Sequence, residues 1–333
     1  MAVNGAETPA EGTARVSSPD TPEAKMTGSD LGKSLKRTLR GAAGILLAGA
    51  LASSALTGCG GGTEQTANEQ AAAEQSAKQE RIVERIMDYV DVMGRHHQME
   101  VLSDIPKNDY LRGGFLFDGQ HVRYADAAKY TTRRGVDVSR YQGDIDWEAV
   151  KAAGYDFAFL RIGYRGYGQS ATLNEDPMFE ANYKGARAAG LDVGVYFFAQ
   201  AIYAEEAIEE AAFVMKILNG RELQLPVVYD PESIPGAQAR TDGVSGTQFT
   251  LNTQTFCEAV RQAGYEPGVY CNMIWQSEKL DLAKFGDADI WLADYEPQPQ
   301  SPYAFRFWQY SDTGKVNGIS GNVDLNVEMI PVK

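Results

Sequence analysis

Three stretches of the chain share one grammar: "AVKAAGYDFAFLRIG" at 149–163, "GARAAGLDVGVYFFA" at 185–199 and "AVRQAGYEPGVYCN" at 259–272. Each reads as a helix end, a Gly just past the cap, an apolar residue, an acid, and then a run that favours strand. A fourth, "MKILNGRELQLPVVYD", has the same form with Asn-Gly as the stop. Glycine there supplies the left-handed conformation that closes a helix. A helix that turns within a few residues into a buried strand is the αβ half of a parallel-sheet module, so helices should lie outside and strands inside.

Extending the pattern gives eight strands: "RGVDVS", "FAFLRIG", "DVGVYFFAQ", "LPVVYDPE", "EPGVYCN", "DIWLADYE", "FRFWQYS" and "NVDLNV". Helices are expected over 147–153, 177–189, 204–219 and 250–263, with a short one near 276–285, and only loops between the last three strands. Eight mostly parallel strands that lose their helices late suggest a closed TIM-like β/α barrel over 134–333. An open doubly wound sheet is the alternative. It would want a Gly-rich phosphate loop after the first strand, and "DVSRYQGDIDW" is not one.

The rest of the chain reads as attachments to that barrel. "LKRTLRGAAGILLAGALASSALTGC" has a cationic start, a short apolar run rich in Ala and Gly, and Leu-Thr-Gly before Cys59. Residues 1–58 are therefore expected to be an export signal with a long polar leader, and Met26 is a possible alternative start. Leu-Thr-Gly-Cys resembles the bacterial lipobox, which makes Cys59 the expected lipid-attachment residue. Residues 59–80, Gly-rich and then Gln/Glu/Ala-rich, read as a tether. In 81–133, Ile82, Val83, Ile86, Val90 and Met93 follow helical spacing and predict an amphipathic neck helix. Asp118-Gly119 between apolar flanks predicts a hairpin.

A net charge of -14 and a pI near 4.8 argue against sequence-independent binding to nucleic acid or anionic lipid. All three histidines, His96, His97 and His121, precede the barrel, and no Cys or acidic ligand set stands beside the adjacent pair. Cys257 and Cys271 fall on a helix and on the next strand, too far apart for a disulfide, so two buried thiols are expected.

In a β/α barrel the site forms at the C-terminal ends of the strands. The first strand delivers Asp137, the fourth Asp230 and Glu232, and the eighth Asp324. Asp230 and Glu232 are two apart and share a face, whereas Pro231 points away and marks where pairing stops. Each acid alone could cap a turn. Four at one mouth crowd like charges, a cost that a function or a cation would have to offset. Mg²⁺ or Ca²⁺ stays open as a ligand; zinc is disfavoured, and the missing histidine removes Ser-His and Cys-His nucleophiles. Carboxylate acid chemistry remains, and its commonest setting is glycoside hydrolysis. Tyr141, Tyr164, Tyr196, Trp291, Tyr295 and Trp308 fall near strand ends and are candidates to stack on sugar rings.

At these residues the sequence resembles the glycoside hydrolase family 25 muramidases, the Chalaropsis-type lysozymes. The likeness runs from about 134 to 330 and is carried, in order, by "GVDVSRYQGDIDW", "FLRIGYR", "GARAAGLDVGVY", "PVVYDPE", "GVYCN", "IWLADY", "FWQYS" and "NVDLN". The resemblance implies a (β/α)5(β)3 barrel that cleaves the β-1,4 bond between N-acetylmuramic acid and N-acetylglucosamine. It places the family's Asp-x-Glu pair on Asp230 and Glu232 and its first-strand and last-strand aspartates on Asp137 and Asp324. Glu232 would be the general acid and Asp230 an ionised partner for the substrate's acetamido group. Many relatives carry histidine where this chain has Phe197, which would alter a subsite contact. No cofactor or resident metal is implied. The expected setting is a monomer held at the outer face of a bacterial membrane, acting on peptidoglycan. A catalytically silent glycan-binding lipoprotein and a metal-dependent barrel hydrolase are the rivals.

Overall fold

The structure is a computed structural model and describes residues 81–332 apart from Pro235; Cys59, the export signal and the tether lie outside the described residues. Every predicted barrel strand is present: β5 (Tyr130–Val138), β6 (Phe157–Arg165), β8 (Asp192–Ala199), β9 (Val227–Pro231), β10 (Pro267–Asn272), β11 (Asp289–Ala293), β12 (Phe307–Gly314) and β13 (Val323–Pro331). Their order around the sheet is β5-β13-β12-β11-β10-β9-β8-β6, and pairing of β5 with β6 closes it. A short strand, β7 (Leu173–Glu175), hangs antiparallel on the end of β6. Four helices cover the outside: α1 (Trp147–Ala152), α2 (Phe179–Ala188), α3 (Ala204–Leu218) and α4 (Gly246–Gln262). The expected fifth helix is one π-turn, Trp275–Lys279, followed by a 3₁₀ turn, Leu282–Lys284.

One strand runs against the others. β13 is antiparallel to both β12 and β5, with Asp324 directly opposite Asp137. Asp324 therefore reaches the mouth from the start of its strand, not from the C-terminal end as expected. With no helix between β12 and β13, the chain can reverse through a short loop, and antiparallel pairing follows.

Side-chain alternation separates the two layers. On β6, Phe157 and Phe159 point into the barrel, while Ala158 and Leu160 join the helix-facing core. The interior is an aromatic plug in which Phe159 stacks on Trp291 with ring centroids 4.4 Å apart, next to Phe307 and Tyr270. Gly135 and Gly194 make room for it, because a Cβ at either would collide with Phe157 or Phe159. Below the plug, Arg306 closes the far end with ion pairs to Asp289 at 2.7 Å and Glu328 at 2.8 Å. The plug fills the lower barrel and leaves a recess only above it, at the end where the acids emerge. Cys257 and Cys271 are buried free thiols, as their placement on α4 and β10 predicted.

The helical neck is not formed. Residues 83–90 are strand β1 (Val83–Val90), paired antiparallel with β2 (His96–Leu102). The helical spacing came mostly from β-branched residues, which also suit a strand. The turn decides between them: Asp91 accepts hydrogen bonds from the backbone of Met93 and Arg95 at 2.9 Å each, and Gly94 takes φ 77°. A ribbon also lets Tyr89, Met99 and Val101 be buried, leaving Ile82 and Ile86 exposed. His96 and His97 fall on opposite faces of β2; His97 stacks on Tyr89 and bonds Asp91 Oδ2 at 3.0 Å. The second hairpin, β3 (Phe115–Asp118) and β4 (His121–Tyr124), turns at Asp118-Gly119 as predicted.

Gln300 clamps the ribbon to the barrel. Its Oε1 accepts from Val90 N and its Nε2 donates to Val90 O, both at 2.8 Å, and Nε2 also reaches Asp294 Oδ1 at 3.0 Å. Gln300→Ala should leave these partly buried groups unpaired and cost about 1–3 kcal/mol. The expected readout is early protease cleavage within residues 81–102 while the barrel fragment persists; an unchanged digestion pattern would show that the clamp is dispensable.

Candidate active site

A cleft of about 700 Å³ opens at the upper end of the barrel, and Asp137, Asp230, Glu232 and Asp324 all line it. Each is delivered by its strand. β9 is buried along its whole length, and its last ladder pair joins Pro231 to Ala199, so Glu232 stands just past the end of pairing, as the proline predicted. Asp230 is 5% exposed, and Glu232 is half-buried and open to the cleft.

Asp137 Oδ2 accepts from Gln309 Nε2 and Asn326 Nδ2, both at 2.8 Å. Gln309 Nε2 also lies 3.3 Å from Asp324 Oδ2, and its Oε1 accepts from Tyr270 OH at 2.9 Å and Tyr295 OH at 3.0 Å. Gln309 thus ties three strands and two acids together. Asn326 is oriented in turn by Trp291 Nε1 at 2.8 Å. Neither amide was singled out in the sequence, although a signal existed: Asn326 is two residues from Asp324, on the same face, and both occupy inward strand positions where apolar residues would be the default.

The electrostatics follow from crowding four carboxyls in a poorly solvated recess. Burial, then the charge of Asp137, pushes Asp324 up to about 9, so it holds a proton at neutral pH and shares it with Asp137 across the ladder. Asp137 is also raised by burial, but Asn326, Gln309 and Asp324 oppose the shift. Burial and then Asp137 lift Glu232 to about 7, with the neighbouring Tyr270 hydroxyl pulling the other way. Asp230 is raised well above the usual carboxylate range by burial and by Glu232 and Asp137, and its Oδ1 has no hydrogen-bond partner. Asp230 and Glu232 titrate as a pair that resists carrying two charges.

The aromatic candidates divide. Tyr141, Tyr164, Tyr196 and Trp291 line the cleft. Tyr295 stands one side chain back and meets it through Gln309. Trp308 does not belong: it lies outside the barrel wall, its Nε1 donates to Asp294 O at 2.7 Å, and it packs against Phe115 of the second hairpin. An outward position on β12 explains this, since its neighbours Phe307 and Gln309 take the inward ones. Phe197 likewise faces the helices, against Phe213 at 6.1 Å, so no subsite contact depends on it. Among the described residues, no group of three or more His, Cys, Asp or Glu side chains is placed to hold a metal ion.

A second polar layer supports β9 from behind. Arg165 Nε donates to Glu210 Oε1 at 2.8 Å, and Tyr229 OH donates to Glu210 Oε2 at 3.0 Å. Glu210 Oε1 also accepts from the backbone of Gln200 at 3.1 Å, and the Gln200 side chain donates to the carbonyl of Glu232 at 2.9 Å. This layer fixes where the Glu232 backbone leaves the strand.

Known proteins resemble this chain. The profile described as glycosyl hydrolases family 25 matches residues 136–319, more than half of the chain. Lysozyme M1 of Streptomyces globisporus is 31% identical over 203 residues, covering 58% of this chain and 66% of its own length. The autolytic lysozyme of Clostridium acetobutylicum is 27% identical over 194 residues, covering 58% of this chain and 55% of its own. The chain thus spans just over half to just under two thirds of these curated relatives. A family 25 glycosyl hydrolase from Bacillus anthracis superposes with a TM-score of 0.50 at 24% identity, over 64% of this chain and 94% of that one, and supports the barrel fold. With the profile spanning the strands that deliver Asp137, Asp230 and Glu232, the chain is a member of glycosyl hydrolases family 25.

Proposed function

We propose that the protein is a muramidase that hydrolyses the β-1,4 bond between N-acetylmuramic acid and N-acetylglucosamine in peptidoglycan. The observation that carries this reading is the pairing of Glu232, open to the cleft and raised to about 7, with the deeper Asp230, whose Oδ1 lacks a donor. Glu232 is the general acid and protonates the departing glycosidic oxygen. A substrate acetamido N–H satisfies Asp230 Oδ1. That bond favours the ionised form of Asp230, which leaves the pair's single proton on Glu232. The acetamido oxygen, oriented in this way, attacks the anomeric carbon as the bond to the leaving oxygen breaks, and water later opens the resulting ring; this is the substrate-assisted exception to the two-carboxylate scheme. Asp137, Asp324 and the cleft aromatics bind sugar hydroxyls and ring faces. Digestion of purified peptidoglycan, with mass spectrometry of the new reducing ends, tests the assignment. Reducing N-acetylmuramic acid supports it, whereas no new reducing ends, or N-acetylglucosamine ends, would refute it.

The proposal extends to location. The protein acts as a monomer at the outer face of a bacterial membrane, exported by residues 1–58 and anchored by lipid on Cys59, with 59–80 as the tether. The lipobox-like Leu-Thr-Gly-Cys supports this, and no helix among the described residues is long and apolar enough to cross a membrane. Cys59→Ser should abolish incorporation of labelled fatty acid and release the protein from the membrane fraction. Retention of label would place the lipid elsewhere.

A further inference from the structure

The cleft is electrically lopsided. Carboxyls crowd its floor, while Arg140, Arg161 and Arg165 line another part of it. Two of these cations are already matched: Arg161 pairs with Asp176 at 2.7 Å and Arg165 with Glu210 at 2.8 Å. Arg140 is exposed and makes no ion pair with a carboxylate among the described residues. Its Nη2 donates to Tyr141 OH at 3.3 Å, and its guanidinium lies 5.0 Å from the centre of that ring, with Arg161 at 5.2 Å from the same ring.

The rim is built rigidly. Ser139 and Gln142 form a capping box around the turn Arg140–Gln142, with Ser139 N donating to Gln142 Oε1 at 2.9 Å. Arg140 N donates to Asp176 Oδ2 at 3.1 Å, which ties the turn to the residue that neutralises Arg161. The backbone that carries the unmatched guanidinium is therefore fixed before anything binds, which lowers the ordering cost of using it. A neutral sugar gains little from such a cation. A carboxylate gains a charge-assisted, potentially bidentate bond. The acids on the floor repel an anion that goes deeper, so the carboxylate belongs at the rim.

We propose that Arg140, supported by Tyr141, recognises a carboxylate that the glycan carries beside the cleaved bond, on the lactyl ether of the muramic acid or on the peptide joined to it. This rests on the muramidase reading and adds to it: the enzyme selects glycan with an anionic substituent.

The test uses the Glu232→Gln protein, so that ligands are bound without being cleaved, and compares it with the same protein carrying Arg140→Ala. Three oligosaccharides are titrated: one bearing stem peptides, one stripped of peptide so that the lactyl carboxylate is free, and an uncharged N-acetylglucosamine oligomer. Arg140→Ala should weaken binding of the carboxylate-bearing ligands by roughly 5- to 20-fold, the low range for a charged hydrogen bond at a solvated rim. The neutral oligomer should bind unchanged, and Arg140→Lys should recover part of the loss. Weakening for the peptide-bearing ligand alone assigns the carboxylate to the peptide, and weakening for the stripped ligand alone assigns it to the lactyl group, which is an uncharged amide wherever a peptide is attached; weakening for both means that the guanidinium takes either carboxylate. Equal weakening for all three, or for none, overturns the proposal while leaving the muramidase reading standing. Failure to bind any of the three overturns both. Because Arg140 is exposed, Arg140→Gln gives a second variant that preserves the side-chain stem.

Discussion

Glu232→Gln is expected to lower peptidoglycan hydrolysis by about 10²–10⁴-fold, the range over which a positioned general acid contributes. Glutamine keeps the shape of the side chain, but it has no proton to give. The fold should survive and even gain stability, because the charge of Glu232 is one of the causes that raise Asp230. Unchanged circular dichroism and an equal or higher Tm should accompany the lost activity. The pH profile gives a second readout. The acid works only while protonated, so wild-type kcat/KM should fall by about tenfold per pH unit once pH passes the neighbourhood of 7, where Glu232 loses its proton. The residual activity of Glu232→Gln should lack that limb. Retention of more than half the wild-type rate, or an alkaline limb that persists in the variant, would remove Glu232 from the role of acid.

The barrel was legible because its strands are buried on both faces and its αβ turns repeat, so length and punctuation were enough to place them. The acids were legible for a related reason: Asp230, Glu232, Asp137 and Asp324 interrupt apolar runs, which is costly unless the position opens onto a site. What failed was whatever depended on a partner distant in the chain. Residues 82–93 carry both helical spacing and β-branched content, and only pairing with 96–102 and the Asp91–Gly94 turn decide between them. Trp308 looked like a sugar platform because it lies near a predicted strand end; its face is set by alternation along β12, which puts Gln309 in the site and Trp308 against the second hairpin. The direction of β13 was hidden because an aspartate at the mouth is reached equally well from either end of a strand.

Arg165→Met is expected to be the most destabilising single change behind the site. Arg165 is 4% exposed, and its partner Glu210 is fully buried on α3. Removing one member of a buried pair leaves an uncompensated charge and costs about 3–5 kcal/mol, more than the pair itself adds to stability. The pH dependence separates this cause from lost packing. Burial already raises Glu210 to about 7 with Arg165 opposing the shift, so without the arginine its folded-state pKa moves further up. A carboxyl that is raised in the folded state contributes stability that is full below its unfolded value, near 4.5, and is lost as pH rises through the folded value. The variant's deficit should therefore be small at about pH 5, where Glu210 is protonated, and grow toward its full size by about pH 8. Urea unfolding at both values measures it. Glu210→Gln in the same chain should restore most of the loss at the higher pH, since a neutral amide needs no counter-charge. Equal deficits at both pH values would mean that the arginine acts by filling space. Because Glu210 holds Gln200, and Gln200 holds the Glu232 carbonyl, the variant should also lose kcat while the rim that binds the glycan stays in place. That connects a buried ion pair on the far side of β9 to the placement of the acid at the mouth.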